Sequence, residues 1–172
     1  MAATLVAWAM IGVPDFGMTV NGALAGLVAI TAPCAFVSAG ASVVIGIVAG
    51  TLVVLSVRFF DRIRVDDPVG ALSVHLVNGI WGTLSVGIFA TQAAPGGIDQ
   101  DGLLHGGGLT LLGHQAVGVA AVGVFTFVLS LVVWVAIKAT LGLRVDHNEE
   151  LRGLDLAEMG MEAYPTEDRI VA

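Results

Sequence analysis

Long stretches without a charged side chain constrain this sequence more than any other feature. Residues 1–14, 16–57, 68–98 and 102–137 contain no Asp, Glu, Lys or Arg, so every charge of the 172-residue chain falls in the intervals between or after them. A helix crosses the hydrocarbon core of a bilayer with about 20 apolar residues, and three of the four stretches exceed that length. The segregation of charge excludes a soluble globular domain and predicts a membrane protein.

Continuous apolar runs, such as residues 46–50, do not alternate with polar residues, so the crossings are predicted to be helices rather than strands. Asp67 followed by Pro68 is typical of a helix start, with the aspartate as cap and the proline as first helical residue. The predicted fold class is an all-α polytopic membrane protein with a helix remnant in residues 1–12 and four crossings at about 19–36, 40–62, 68–90 and 114–141.

The basic residues predict the orientation in the membrane. All seven lie within 58–64 or 138–169, and Lys and Arg concentrate in cytoplasmic segments. Both clusters are then cytoplasmic, separated by two crossings. Eight of the 14 acidic residues lie in 142–172, which locates most of the net charge of −7 in this segment. The sequence therefore predicts a membrane domain over 1–141 and an acidic cytoplasmic tail over 142–172.

Several functional classes lack support in the residues. The negative net charge argues against nucleic acid as a partner, because that requires a basic face. A single cysteine, Cys34, provides neither a disulfide nor a metal-ligating pair. Neither a nucleophile–base pair nor a phosphate loop or cofactor motif is present in the sequence. We therefore expect no enzyme activity, no metal and no cofactor.

His75 is the principal functional candidate. It falls about two turns inside the third predicted crossing, where an ionisable side chain is costly and usually functional. Its helical neighbours form one stripe of small or polar residues: Ala71, Asn78, Gly79, Gly82 and Ser85. Such a stripe must face protein or a pore rather than lipid. Two interpretations stay open, a histidine that lines a passage and a buried neutral histidine bonded to a backbone carbonyl.

Other polar residues in the apolar segments are weaker candidates. Asn21 could hydrogen-bond across helices or line a passage, and the packing role is favoured. Thr31 could cap a helix end. Glycines three or four residues apart, such as Gly22 and Gly26, predict closely packed helices, because small residues let transmembrane backbones approach each other.

Three blocks of sequence resemble the ammonium transporter family (Amt/Mep/Rh). Residues 21–31 (NGALAGLVAIT) resemble its eighth transmembrane helix. Residues 64–68 (RVDDP) and 73–83 (SVHLVNGIWGT) resemble its ninth loop and tenth helix. The third block, in the tail, comprises residues 142–145, 153–155 and 162–164. The blocks follow the family's order over essentially the whole chain.

This resemblance implies an ammonium-transporter fold in part, from the end of helix seven through helix eleven and the tail. It implies transport of ammonium or ammonia through a hydrophobic pore, with His75 as one of the family's two pore histidines. The other belongs to a helix without a counterpart here. The resemblance also implies a pore-lining role for Asn21 and Ala71, with Thr31 and Asn78 as further candidates.

The resemblance further implies a homotrimer for nitrogen uptake, in the plasma membrane and with a cytoplasmic C-terminus. A PII signal protein is the expected partner of the tail, whose candidate regulatory residues are Gly142, Arg144, Gly153, Asp155 and Tyr164. Two other functions stay open: a truncated non-transporting module that associates with full-length subunits, and an ammonium sensor. The residues also leave open whether Met1 is a genuine start or the chain is a fragment.

Overall fold

The computed structural model describes residues 1–162, and every regular element in that range is helical. The five longest helices are α1 (Ala2–Ile11), α2 (Phe16–Thr31), α3 (Ala39–Arg62), α4 (Asn78–Phe89) and α5 (Thr110–Thr140). A π-helical stretch over Leu72–Val77, here called the π segment, leads directly into α4. The shorter elements are a 3-10 turn (Leu103–His105), α6 (His147–Arg152) and α7 (Leu154–Met159). The prediction of an all-α fold is confirmed for this part of the chain.

Side-chain caps set the starts of α2 and α3. The Asp15 carboxylate accepts a hydrogen bond from the backbone N–H of Met18 at 2.6 Å, and the Ser38 hydroxyl accepts one from Ala41 at 3.2 Å. Helix α2 therefore begins at Phe16, before the predicted residue 19, and it ends at Thr31 rather than 36 because a turn follows. Helix α3 lies close to its predicted bounds, while α5 begins four residues before the predicted residue 114.

The prediction that Pro68 is the first residue of the third crossing is wrong. Residues 67–70 form a turn instead, closed by a 3.0 Å hydrogen bond from the backbone N–H of Gly70 to the carbonyl of Asp67. Gly70 has a φ of +74°, which a residue without Cβ adopts at little cost. The π segment begins only at Leu72, so His75 lies about one turn inside the helix rather than two.

Three helical stretches within residues 1–162 are long and apolar enough to cross a membrane: Ala39–Arg62, Leu72–Phe89 and Thr110–Thr140. They correspond to three of the four predicted crossings. The 16 residues of α2 rise about 24 Å, which is less than the roughly 30 Å of a hydrocarbon core. A crossing by α2 stays a prediction. The chain is a multi-pass membrane protein.

Residues 1–123 form one compact unit, and many of its fully buried side chains are alanine. Its fully buried residues include Ala3, Ala25, Ala29, Ala49 and Val53. Backbone approaches closely at Gly22, where an added Cβ would collide with Ala3, and at Gly82, where it would collide with the backbone of Ala29. These contacts bring α1, α2 and the third crossing together in the way that small residues permit between membrane helices.

Residues 124–172 form a second unit, described up to residue 162. It contains the C-terminal part of α5 and the two short tail helices. The apolar side chains of this part of α5 are exposed, for example Phe127 at 70% and Trp134 at 58%. Exposure of a contiguous apolar surface of this kind to water is unfavourable, so lipid or another protein surface must cover it.

Candidate functional site

His75 lies in the π segment on a surface that the described chain leaves open. Its side chain is exposed, and so is Ala71, which directly precedes the π segment. In a π helix the backbone bonds run over five residues instead of four, and such single turns occur frequently at functional sites. The open histidine within an apolar helix is the most distinctive chemical group of this region.

The predicted stripe around His75 is divided in the structure. Asn78, Gly82 and Ser85 are buried in the packed interior, whereas His75 and Ala71 are exposed. The prediction of a single stripe assumed an α-helical period of 3.6 residues. The wider turn of the π segment changes the angular relation between residues before and after it, so Asn78 and His75 do not share a face.

The Asp67 carboxylate anchors the start of this helix. Its two oxygens accept hydrogen bonds from the backbone N–H of Leu72 at 2.9 Å, from that of Ser73 at 3.1 Å, and from the Ser73 hydroxyl at 3.0 Å. Burial alone would raise the pKa of the Asp67 carboxyl, but these hydrogen bonds outweigh burial and hold the pKa below its usual range. Asp67 thus acts as a cap across an intervening turn rather than one residue before the helix.

Asn78 continues this set of hydrogen bonds into the helix. Its side-chain Nδ2 donates to the backbone carbonyl of Ser73 at 2.9 Å, and both residues are fully buried. The Oδ1 atom of Asn78 is buried and has no hydrogen-bond partner among residues 1–162. Asp67, Ser73 and Asn78 therefore connect the turn at the start of the helix with the residue that directly follows the π segment.

Asn21 and Thr31 lie at different ends of α2. The Nδ2 atom of half-buried Asn21 donates to the carbonyl of Val69 at 3.4 Å, so this side chain contacts the turn before the third crossing. Thr31 is exposed and its hydroxyl donates to the carbonyl of Leu27 at 2.7 Å. The ten residues between Asn21 and Thr31 correspond to about 15 Å along a helix, so the two side chains do not belong to one cluster.

Sequence reasoning missed the turn and the π segment, although a signal for the turn was present. Asp, Pro and Gly at positions 67, 68 and 70 match the first, second and fourth positions of a type I turn. It also missed the indole of Trp81, which donates to the carbonyl of Ile45 at 3.1 Å and thereby ties the third crossing to α3. Nothing in the residue spacing distinguished a π turn from an α turn.

Two of the candidate tail residues, Gly142 and Gly153, lie at breaks between helices. Gly142 and Gly153 have φ values of +82° and +89°, which explains glycine after α5 and between α6 and α7. Arg144 is exposed, and Asp155 lies in the first turn of α7. Tyr164 lies outside the described residues. Within residues 1–162, no three His, Cys, Asp or Glu side chains are grouped to hold a metal ion.

Comparisons with known proteins agree with the resemblance of the three blocks. The sequence model of the Ammonium Transporter Family matches residues 1–164. Ammonium transporter Amt2 of Archaeoglobus fulgidus is 39% identical over 170 residues, which cover 96% of this chain and 36% of the relative. An ammonium transporter of Bacillus subtilis is 37% identical over 93% of this chain and 39% of the relative. The chain thus spans little more than a third of the length of these relatives.

Solved structures show the same fold. A structure titled "Sensor Amt Protein" matches with a TM-score of 0.79 and 34% identity over 91% of this chain and 38% of its own. The crystal structure of Candida albicans Mep2 matches with a TM-score of 0.75 and 31% identity over 91% of this chain and 36% of its own. With the helical architecture, the family match over 1–164 and these structures, the chain belongs to the ammonium transporter family.

Proposed function

We propose that this chain forms the C-terminal part of a transporter that moves ammonium or ammonia across the plasma membrane through a hydrophobic pore. The observation that carries the proposal is His75, an ionisable side chain on the open surface of an apolar helix. The relatives named ammonium transporters support the substrate. Since they are about two and a half times as long, the rest of the pore wall belongs to segments that this chain does not contain.

The chemistry of an imidazole suits this role. An apolar passage rejects a hydrated cation because removal of water from a charge costs many kcal/mol. A neutral imidazole offers one donor and one acceptor, so it can hydrogen-bond ammonia without adding charge to the passage. Ala71, exposed beside the π segment, is the small residue that would leave room next to His75. Asn21, Thr31 and Asn78 remain further candidates for the lining or its support.

The assembly and orientation are part of the same proposal. The exposed apolar face of α5 supports contact with lipid or with other subunits, and we propose a homotrimer with a cytoplasmic C-terminus. The acidic segment 142–172 would then meet cytoplasmic partners, of which a PII signal protein is the proposed one. The glycine breaks at 142 and 153 provide defined bends for such a contact.

A chimera tests the transport role. Residues 1–172 replace the matching 36% of the Archaeoglobus fulgidus Amt2 relative, and the chimera is expressed in cells without other ammonium transporters. His75→Ala should lower ammonium flux or discrimination against potassium while assembly is preserved. Loss of one hydrogen bond, worth about 0.5–1.5 kcal/mol, would change the flux or the discrimination by about 2- to 12-fold. Trp134→Ala, on the exposed part of α5, is the control for a substitution outside the third crossing.

The result separates transport from a non-transporting membrane module. Growth at low ammonium and low pH should be rescued by the chimera, but not by the 172 residues alone, because the open face around His75 lacks an opposite wall. Rescue by the isolated chain would mean that several copies build a pore by themselves. Unchanged flux and unchanged selectivity in His75→Ala would remove the conduction role.

A sensor is the second candidate function, favoured by the similarity to the structure titled "Sensor Amt Protein". A sensor requires ammonium binding and a response but no flux. A chimera that binds ammonium and changes the accessibility of its tail, yet does not rescue growth, would favour this second function.

A further inference from the structure

The π segment that carries His75 is held by an unusual hydrogen bond. The Nδ2 group of Asn78 donates to the carbonyl of Ser73, five residues earlier, at 2.9 Å. Five residues is the spacing of backbone bonds in a π helix. The backbone N–H of Asn78 instead donates to the carbonyl of His75. The side-chain amide of Asn78 therefore donates where a backbone N–H of a continuing π helix would donate.

The unpaired oxygen of Asn78 supports a specific role for this amide. Oδ1 is fully buried without a partner, and burial of an unpaired acceptor costs free energy. The opposite orientation of the amide would bring Oδ1 against the carbonyl oxygen of Ser73, two acceptors without a proton between them. For packing alone an apolar residue of similar size would serve better, so the donation to Ser73 is what the amide contributes.

We propose that Asn78 is a positioning residue for His75: its amide holds the π segment through the carbonyl of Ser73 and thereby keeps the imidazole on the open face. The relevance to conduction rests on the transport role proposed above. Ser73 is fixed at its other end by the Asp67 carboxylate, so the carbonyl that Asn78 contacts belongs to an anchored residue. Without the amide, the segment relaxes toward α-helical spacing.

Relaxation has a geometric consequence at position 75. A π turn holds about one residue more than an α turn. When the segment relaxes to α spacing, the helix on one side therefore rotates by about 100° relative to the other side, which moves a Cα atom by about 3.5 Å on a helix of 2.3 Å radius. Such a rotation turns position 75 toward the packed interior formed by α2 and α3. The accessibility of position 75 therefore reports the state of the π segment directly.

The first experiment measures how fast a thiol reagent labels the His75→Cys variant in detergent, in a chain that also carries Cys34→Ser. Labelling should become several-fold slower with Asn78→Leu, which keeps the branching at Cγ and the number of side-chain heavy atoms but removes the amide. Ser85→Ala is the matched control, because Ser85 is equally buried in the same crossing and its hydroxyl donates to the carbonyl of Trp81, within its own helix. Equal labelling rates with and without the amide would overturn the proposal.

A second measurement covers the case in which Asn78→Leu does not fold. Solid-state NMR of the unaltered chain in lipid should show a dipolar contact between the side-chain 15N of Asn78 and the carbonyl 13C of Ser73. Absence of this contact in a chain with native helicity would overturn the proposal.

The link to transport is tested in the chimera with a double-mutant cycle. If Asn78 acts through His75, Asn78→Leu should lower flux, and the double variant should be no worse than His75→Ala alone. Additive losses would contradict action through His75. If His75→Ala has no effect, the proposed transport role fails, whereas the labelling comparison still decides whether Asn78 holds the π segment.

Discussion

Substitution of Gly82 by alanine should separate α2 from the third crossing. A Cβ atom at position 82 would lie 2.9 Å from both the Cα and the carbonyl carbon of Ala29 and would come still closer to its oxygen. These are backbone atoms of α2, which cannot move aside like the end of a long side chain. Gly79 lies in the same helix, and apart from the backbone of that helix no atom of the described residues lies within 4 Å of an added Cβ, so it provides the matched control.

The expected magnitude follows from two opposing effects. Alanine favours a helix over glycine by about 1 kcal/mol, so Gly79→Ala should be neutral or stabilising by up to that amount. Overpacking of a tight interior costs about 1–3 kcal/mol, and a contact between two backbones belongs at the upper end. Both substitutions gain the same helix propensity, so the two alanine variants should differ by the overpacking cost alone, about 1–3 kcal/mol in the free energy of unfolding, with Gly82→Ala the less stable.

Reversible unfolding of the 172-residue chain in mixed micelles, followed by far-UV circular dichroism, measures this difference. Gly82→Ser should destabilise by a similar or larger amount, because it also adds atoms toward Ala29. Equal free energies for the variants at positions 79 and 82 would refute the close approach of the two helices and the packing argument built on it.

Three further predictions concern orientation, the helix cap and the tail. Engineered cysteines at 98–104 should react with an impermeant reagent from outside, and those at 62–66 and 148–156 only after permeabilisation, because basic residues remain cytoplasmic; the opposite pattern would invert the proposed topology. Asp67→Asn keeps an acceptor at the cap but removes the charge, so it should lower the free energy of unfolding at pH 7 by about 1 kcal/mol, the difference between a hydrogen bond to a charged group and one to a neutral group. Since hydrogen bonds lower the pKa of Asp67 in the folded state, its contribution is present above the unfolded pKa of about 3.9 and disappears as the pH falls through the folded pKa. The difference between the two proteins in pH-dependent unfolding should therefore vanish in acid, and a difference that persists would assign the effect to shape rather than charge. Deletion of 145–172 from the chimera should lower ammonium flux or abolish its response to a PII protein, whereas unchanged flux and response would mark the tail as dispensable.

The helical, membrane-spanning character was predictable because it depends on composition along the chain. Three of the four predicted crossings coincide with helices long enough to span a membrane, since apolar runs without charges have few alternatives in a bilayer. The family could also be predicted, because its characteristic blocks are contiguous in sequence. His75 was identified for the same local reason, as an ionisable residue within an apolar run.

Helix boundaries were less predictable where one residue can act in two ways. Asp15 could end the preceding helix or cap the following one. Its carboxylate accepts a hydrogen bond from the backbone N–H of Met18, so it caps α2. Asp67 was expected to cap a helix that starts at Pro68, but it caps one that starts at Leu72 across a turn. In both cases the residue type was informative, while the partner depended on how the backbone bends.

The sequence by itself determined which segments are apolar enough to cross a membrane and that His75 is an ionisable residue within one of them, because both follow from residue type and order. Only the tertiary structure decided which face each residue occupies. The π segment changes the period of the helix at His75, and contacts with α2 select Gly82 for close packing while leaving Gly79 open. Hydrogen bonds from Asp67 through Ser73 to Asn78 connect residues that are eleven positions apart in sequence. A pattern based on one helical period contains no information about such bonds, since they depend on the folded path of the backbone.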